Sequence, residues 1–459
     1  MFRRRHKYDY DLIVIGSGAG GSVGAHYAHS LGKKVAVFEK AEVGGECPNW
    51  ACVPTKALLH AAKIYQLAQN SEQFGIDIKD PALNHKNIKK WRDLVVSRTG
   101  VTHGEEIFKK EGLHLIKEKA SFINDHEVEA GGKIYSAAKF LIATGSTVAI
   151  PPINGLNESS YITFKEAGSW QKIPKSIFIL GAGPVGCEFA QIYATFGTKV
   201  TLADSLDKLI AKEDKEVSDL IQALFENQGI DVLTGITVDK VEKKPTRKVV
   251  YYQKDGRHHE LNTQEILVST GKRPVLDFAP EKAGIIVENG RLKINKYLQT
   301  SVSHIFAAGD VIGPYLLTHT GEYQSYIAAK NAFSYQKTRP SYDVVPRCVF
   351  TYPEVASVGL SARDAKEQGI RIKVGIFAMS ALGRANMSND FDGFVKIVTD
   401  KKETIIGASI VAPRAGEMIH ELALAVKLKV KAKVIAEMIH AYPTFSEAIK
   451  FAASSLEEK

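Results

Sequence analysis

The sequence predicts an α/β protein with two Rossmann-like dinucleotide-binding domains and a C-terminal α+β domain. Three observations predict it. The segment DLIVIGSGAGG at 11–21 is matched by SIFILGAGPVG at 176–186, with the first glycines, Gly16 and Gly181, 165 residues apart. Each copy reads as an apolar strand, a glycine-rich turn, a helix and a second apolar strand, the order of a parallel sheet covered on both faces. Beyond about 341, strands such as FVKIV and IIGASIV alternate with amphipathic helices such as AGEMIHELALAVKLK, an α+β texture.

Length and composition agree with this layout. The 459 residues leave room for about three domains at roughly 100–200 residues each. Hydrophobic residues at 44% and charged residues at 24% are ordinary globular usage, which excludes a disordered chain. No apolar run approaches the roughly 20 residues of a spanning helix, so no membrane span is predicted. Lysine plus arginine is 60 against 51 acidic residues, a net charge of +9. Part of the excess lies in MFRRRHK, which reads as a solvated tail rather than a nucleic-acid site. The tail runs into strand-like YDYDLIVIG without an apolar signal region, so a cytoplasmic protein is expected. Four cysteines are too few for a secreted disulfide scaffold.

In the first copy, Gly16, Gly18 and Gly21 form G-x-G-x-x-G between a strand and a helix at about 20–30. The first glycine permits a tight turn, the second lets backbone approach a pyrophosphate, and the third lets helix pack on strand. The helix N-terminus then favours the phosphate charge. The next strand, KVAVF, ends at Glu39, eighteen residues after Gly21, where an acid can bind a ribose 2′-hydroxyl.

Next comes GGECPNWACVPTK at 44–56. Cys47 and Cys52 have four residues between them, and Pro54 fits the first turn of the helix continuing through ALLHAAKIYQL. A helix N-terminus lowers a thiol pKa, and Lys56, one turn beyond Cys52, adds positive charge. The segment 71–135 contains the helix-like run IKKWRDLVVSRTGVTHGEEIFKKEG. FLIATG at 140–145 is a strand ending in the small-residue turn Thr144–Gly145.

The second copy repeats the first. Gly181, Gly183 and Gly186 precede a helix at about 185–196, and KVTLA ends at Asp204, again eighteen residues beyond the last glycine. Two further strands end in small-residue turns: ILVSTGKRP at 266–274, containing Gly271, and HIFAAGD at 304–310, ending at Asp310. The resulting layout is a first dinucleotide domain at 1–150 and a second at 151–272. The first then resumes at 273–340, and a C-terminal domain occupies 341–459. Two dinucleotide sites on one chain point to a flavin and a nicotinamide exchanging a hydride. Asp204 favours NAD(H), because a carboxylate there repels a 2′-phosphate; Lys199, Lys208 and Lys212 keep NADP(H) open.

Taken together, these motifs resemble the class I pyridine nucleotide–disulfide oxidoreductases, which include dihydrolipoyl dehydrogenase, glutathione reductase and mercuric reductase. The resemblance extends to PRCVFTYPEVASVGL at 346–360 and HAYPTFSE at 440–447. It implies FAD on the first fingerprint, with Glu39 on the adenosine ribose and Asp310 near the ribityl chain. It implies a homodimer joined through 341–459 and a small-molecule or protein-bound disulfide substrate. Cys47 corresponds to the interchange thiol and Cys52 to the charge-transfer thiol beside the flavin. Lys56 and Glu188 correspond to an ion pair beside the reactive flavin nitrogen. Electrons would pass from NADH to flavin to the Cys47–Cys52 disulfide to an external acceptor.

The chain departs from that pattern at the C-terminal motif. The family's disulfide reductases have histidine directly before the proline, oriented by a glutamate; here Tyr442 precedes Pro443, with Glu447 retained. A free phenol titrates at about 10 and a free imidazole at about 6.5, so tyrosine is a poor proton shuttle at neutral pH. His440, two residues earlier, would share a face with Tyr442 if the segment were extended. The Tyr442–Pro443 bond is expected to be cis. Mercuric reductase is similar in having tyrosine near that position but carries a C-terminal cysteine pair; this sequence ends in SSLEEK. Cys187 and Cys348 read as buried structural thiols, His319 reads as structural, and the histidine spacing predicts no metal. Glu46 stands where the family more often has threonine, with no evident reason. Dihydrolipoyl dehydrogenase-like chemistry leads, with mercuric reductase-like or NADH:quinone chemistry as the alternatives.

Overall fold

The computed structural model describes residues 8–99, 101–170 and 172–458; the basic tail at 1–7 lies outside them. The chain divides into two compact units, one of residues 1–57, 89–149 and 271–340, the other of residues 58–88, 150–270 and 341–459.

The first unit is built on a five-stranded parallel sheet. Its spatial order is Ile305–Ala307, Phe140–Ile142, Leu12–Ile15, Val35–Phe38 and His114–Ile116. The four-residue apolar runs LIVI and VAVF are buried along their whole length, as strands covered on both faces must be. The late strand Ile305–Ala307 pairs in parallel with Phe140–Ile142, which returns the 271–340 segment to the sheet begun by the N-terminus. Helix Ala19–Ser30 follows the first strand and packs on helix Thr318–Phe333, where the Gly24 N–H donates to Ser325 Oγ at 2.8 Å. An antiparallel sheet of Ser121–Asn124, Glu127–Ala130 and Lys133–Ser136 lays Phe122 against Phe140 and Phe278. The long helix-like run is interrupted: helix His85–Arg98 stops before Thr99, a weak helix former, and Gly104–Lys110 is a separate helix.

In the second unit the parallel sheet runs Asp231–Leu233, Lys199–Ala203, Ser176–Leu180 and Glu265–Val268, with helix Pro184–Thr195 after the glycine turn. A six-stranded antiparallel sheet runs Arg347–Val349, Glu354–Gly359, Ile405–Ala412, Phe394–Asp400, Ile372–Ala378 and Glu457–Glu458. Helices Ala415–Lys427 and Glu447–Ser454 bury Ile419, Leu422, Ile449 and Ala452 in its core. Lys396 of this sheet is 2% exposed and lies 2.9 Å from Asp214 and 3.1 Å from Glu216. Segment 58–88 also belongs to this unit, so the first boundary falls within helix Cys52–Gln69. Among the described residues, no helix is long and apolar enough to cross a membrane.

Candidate active site

Cys47 sits on the one-turn helix Glu46–Asn49, and Cys52 opens the 18-residue helix Cys52–Gln69. The connection is held tightly. Asn49 Nδ2 donates to Val43 O at 2.9 Å and Gly45 O at 2.8 Å, and the Trp50 and Ala51 amides both donate to Glu46 O at 2.9 Å. Cys47 and Cys52 are free thiols hydrogen-bonded to each other. That bond from Cys47 pulls the Cys52 thiol down to about 6 against the cost of burial, with the Thr318 hydroxyl, Lys56 and Lys272 assisting. Cys47 moves the opposite way, because the shared proton stays on it and burial disfavours a second charge. The two form one titrating pair. Thr318 Oγ1 stands 3.6 Å from Cys52 Sγ.

A charged network adjoins the thiols. Lys272 Nζ lies 2.6 Å from Glu46 Oε2 and 3.7 Å from Asp310 Oδ2, and Ser146 Oγ donates to Asp310 Oδ2 at 2.5 Å. The turns after two strands meet here. Thr144 Oγ1 donates to Val275 O at 2.8 Å, the Ala149 amide to Gly271 O at 2.9 Å, and Ser146–Val148 pairs with Lys272–Pro274. Gly145 and Gly271 have φ of 70° and 99°, conformations that favour glycine.

Both dinucleotide fingerprints have the same build. A Cβ on Gly21 would fall 1.9 Å from Gly16 O, and one on Gly186 would fall 1.9 Å from Gly181 O, so helix and turn are in direct contact. The middle glycines are open: a Cβ on Gly18 would meet nothing nearer than 3.7 Å, and one on Gly183 nothing within 4 Å. Each middle glycine is the N-cap of its helix without a side-chain cap. That leaves room and backbone donors for a pyrophosphate at each turn.

The two acids repeat each other as well. Glu39 accepts from the Ser17 amide at 2.9 Å, Ser17 Oγ at 2.7 Å and the Ala41 amide at 2.8 Å. Asp204 accepts from the Ala182 amide at 2.6 Å and the Leu206 amide at 2.9 Å. Each carboxylate therefore holds the residue after the first glycine and the residue two positions past itself. A carboxylate has about four acceptor sites, so capacity for a ribose hydroxyl remains. The residues fit two dinucleotides.

Glu188, buried on helix Pro184–Thr195, accepts from the Phe350 amide at 3.0 Å. Tyr442 is 76% exposed, and the Tyr442–Pro443 peptide is cis. Glu447 accepts from the Thr444 amide at 3.0 Å. His440 does not share a face with Tyr442: its side chain is 5% exposed, with Nε2 3.1 Å from Glu421 Oε1. Segment 439–443 forms no strand, so the alternation of an extended chain does not apply to it. Cys187 is fully buried, and burial raises its pKa. Cys348 is only partly buried on the strand Arg347–Val349, contrary to the expectation for it, because its strand has a neighbour on one side only. His319 is exposed.

Sequence reasoning missed Thr318, one residue before the histidine it considered, and the Glu46–Lys272 pair, whose members are 226 positions apart. It also missed Glu421 as the partner of His440. Among the described residues, Asp125, His126 and His304 bring possible metal-ligand atoms within 4.8 Å of one another. Their imidazoles are stacked at 4.0 Å, with His126 Nδ1 bonded to Ala137 O at 2.8 Å and His304 Nε2 to Asp125 O at 2.7 Å.

Residues 10–332 match the family described as pyridine nucleotide-disulphide oxidoreductase, and residues 345–453 match its dimerisation domain. A dihydrolipoyl dehydrogenase of Thermus scotoductus is 36% identical over 464 residues, covering 98% of each chain. A mercuric reductase of Staphylococcus aureus is 33% identical over 454 residues, covering 98% of this chain and 83% of its own. The HOCl-induced flavoprotein disulfide reductase RclA of Escherichia coli superposes with a TM-score of 0.87 at 26% identity, covering 97% of this chain and 99% of its own.

Proposed function

Because the chain belongs to the pyridine nucleotide-disulphide oxidoreductase family, we propose that it reduces an organic disulfide, with NADH as donor and Cys47–Cys52 as the redox pair. It is an FAD-dependent, NAD(P)H-linked flavin disulfide oxidoreductase; the donor, the acceptor and the residue roles are our reading. The observation that carries it is the pair of neighbouring free thiols at a helix start, Cys47 on the short helix and Cys52 opening the long one with Thr318 Oγ1 3.6 Å from its sulfur.

FAD, when bound, supplies the two-electron carrier between the nicotinamide and the thiols. Gly16, Gly18, Gly21 and Glu39 bind its adenosine end, while Thr144, Gly145, Gly271 and Asp310 line the rest of its site. Gly181, Gly183, Gly186 and Asp204 bind NAD(H), and Asp204 disfavours the 2′-phosphate of NADP(H). Lys56 and Glu188 each take, by resemblance to the family, a role at the flavin. Cys52 holds the thiolate, and Thr318 and Lys56 stabilise it. Cys47, once deprotonated, attacks the substrate disulfide, forming a mixed disulfide and releasing one thiol. Cys52 then displaces the second thiol, which closes the Cys47–Cys52 disulfide. The protein acts as a cytoplasmic homodimer joined through 341–459. The division into 1–150, 151–272, 273–340 and 341–459 is the functional layout we propose.

Tyr442 favours a second reading. An exposed phenol in place of the family histidine, with His440 committed to Glu421, suits an acceptor that needs no protonated leaving group. Mercuric ion is such an acceptor, as are quinones. A steady-state screen of lipoamide, glutathione disulfide, mercuric ion and quinones with both nicotinamides decides. Turnover of a disulfide with NADH supports the first reading, and turnover of mercuric ion or quinones alone supports the second.

A further inference from the structure

Residues 205–214 lead from Asp204, which follows the strand Lys199–Ala203, to the helix Lys215–Asn227. On the way they return to the second glycine turn. The Ile210 amide donates to Ala182 O at 2.9 Å, and the Ala182 amide donates to Asp204 Oδ2 at 2.6 Å. Ala182, between Gly181 and Gly183, is thus held through both of its backbone groups. Ile210 is 4% exposed and has φ of 39°, a left-handed conformation that a β-branched residue keeps only where its surroundings enforce it.

The far end of the loop is fastened from the six-stranded antiparallel sheet. The Glu213 amide donates to Ile210 O at 2.8 Å, and the Glu213 carboxylate lies 3.2 Å from Arg347 Nε on the edge strand Arg347–Val349. Beside it, Lys396 Nζ lies 2.9 Å from Asp214 Oδ2 and 3.1 Å from Glu216 Oε2, with the Lys396 and Asp214 side chains 2% and 3% exposed. Asp214 is the N-cap of its helix, yet its side chain caps no amide. Its carboxylate forgoes the usual task of aspartate at that position and faces Lys396 instead. All of these residues belong to one compact unit. Removing the cation would leave the Asp214 carboxylate buried and unpaired, so the ion pair fixes where the loop ends.

We propose that Lys396 is a positioning residue for nicotinamide dinucleotide binding: through Asp214 it holds the loop 205–214 closed on the second glycine turn. The proposal rests on the reading of that turn, with Asp204, as the NAD(H) site. A loop braced at both ends keeps Ala182 and Asp204 in their binding arrangement before the dinucleotide arrives, so less ordering is left to be done on binding. Lys396 acts on affinity for the dinucleotide and not on the transfer step.

The test uses the holoenzyme. NAD+ affinity is measured by calorimetry, and flavin reduction by NADH is followed by anaerobic rapid mixing, which gives an apparent Kd and a limiting rate without any acceptor. Tm is recorded for each variant. Lys396→Met keeps the apolar stem and is expected to raise both dissociation constants by about 2–30-fold, with the limiting rate close to the parent's. Asp214→Asn, nearly isosteric, guards against a folding defect in Lys396→Met and should weaken binding in the same direction. The two changes together should bind no more weakly than Lys396→Met alone. Lys248→Met is the control: Lys248 is buried in the same unit against Glu265, so its loss should lower Tm and leave the dissociation constants unchanged. The proposal is overturned if Lys396→Met or Asp214→Asn folds and binds NAD+ as the parent does, if the two losses multiply, or if Lys248→Met weakens binding as much. If the parent binds no nicotinamide and neither NADH nor NADPH reduces its flavin, the reading of the second turn fails, and the proposal fails with it.

Discussion

Asp204→Ala separates two tasks of this carboxylate, one proposed and one structural. In the proposed function it binds the free ribose of NADH and repels the phosphate of NADPH. In the structure it also accepts from the Ala182 amide at 2.6 Å and the Leu206 amide at 2.9 Å, which fixes the glycine turn. Two charges about 5 Å apart in an effective dielectric of about 20 repel by about 3 kcal/mol. Salt screening reduces this to about 1–3 kcal/mol, or roughly 5–150-fold in kcat/KM between the two donors. Alanine removes the repulsion and should bring the ratio close to one. It also frees two amides, each of which loses a charge-assisted bond worth about 1.5–3 kcal/mol before water replaces it. Absolute kcat/KM should therefore fall for both donors, and more for NADH. The assay is initial rates with each nicotinamide at fixed acceptor, alongside Tm. A parent that uses NADPH as well as NADH refutes the reasoning, and so does a ratio that the substitution leaves unchanged.

Three further outcomes are expected. Gly186→Ala places a Cβ 1.9 Å from Gly181 O and should cost about 1–3 kcal/mol or more of stability, read as a lower Tm, whereas Gly183→Ala, with nothing within 4 Å, should keep the parent Tm and weaken nicotinamide binding. Tyr442→His should raise lipoamide turnover, by up to the roughly 10²–10⁴-fold of a general acid, while His440→Ala should leave the pH profile of turnover unchanged. Because the Cys52 thiol is held at about 6 against a usual 9.0, the reduced protein binds fewer protons than its unfolded chain between those values. The stabilisation due to Cys52 should therefore be lost as pH falls from 9 towards 6, while above 9 Cys47, which stays protonated in the fold, acts in the opposite direction; the Tm slope between pH 6 and 9 should vanish in Cys52→Ser.

The sequence made the fingerprints legible because their chemistry is local. Gly16, Gly18, Gly21 and Glu39 lie within one βαβ unit, and glycine is required where backbone meets backbone. The same holds for Cys47 and Cys52, with four residues between them at a helix start. Contacts fixed by the return of distant chain were not legible. Thr318 reaches Cys52 from 266 positions away, and Lys272 reaches Glu46 from 226. Neither has a local signal, because only the closure of the parallel sheet by Ile305–Ala307 and the pairing of Lys272–Pro274 bring them in. The face shared by His440 and Tyr442 was misread for a related reason. Alternation needs a strand, and the loop around Pro443 instead turns one side chain to Glu421 and the other to solvent.

The central claim is that Cys52 is the thiolate beside the flavin and Cys47 the thiol that meets the substrate. Anaerobic two-electron reduction of the parent, Cys52→Ser and Cys47→Ser proteins, followed through the visible spectrum, tests it most directly. The account predicts a long-wavelength thiolate-to-flavin band in the parent, no band in Cys52→Ser, and a band retained in Cys47→Ser together with loss of disulfide turnover. Two variants with the same spectrum, or a band that survives in Cys52→Ser, would contradict it.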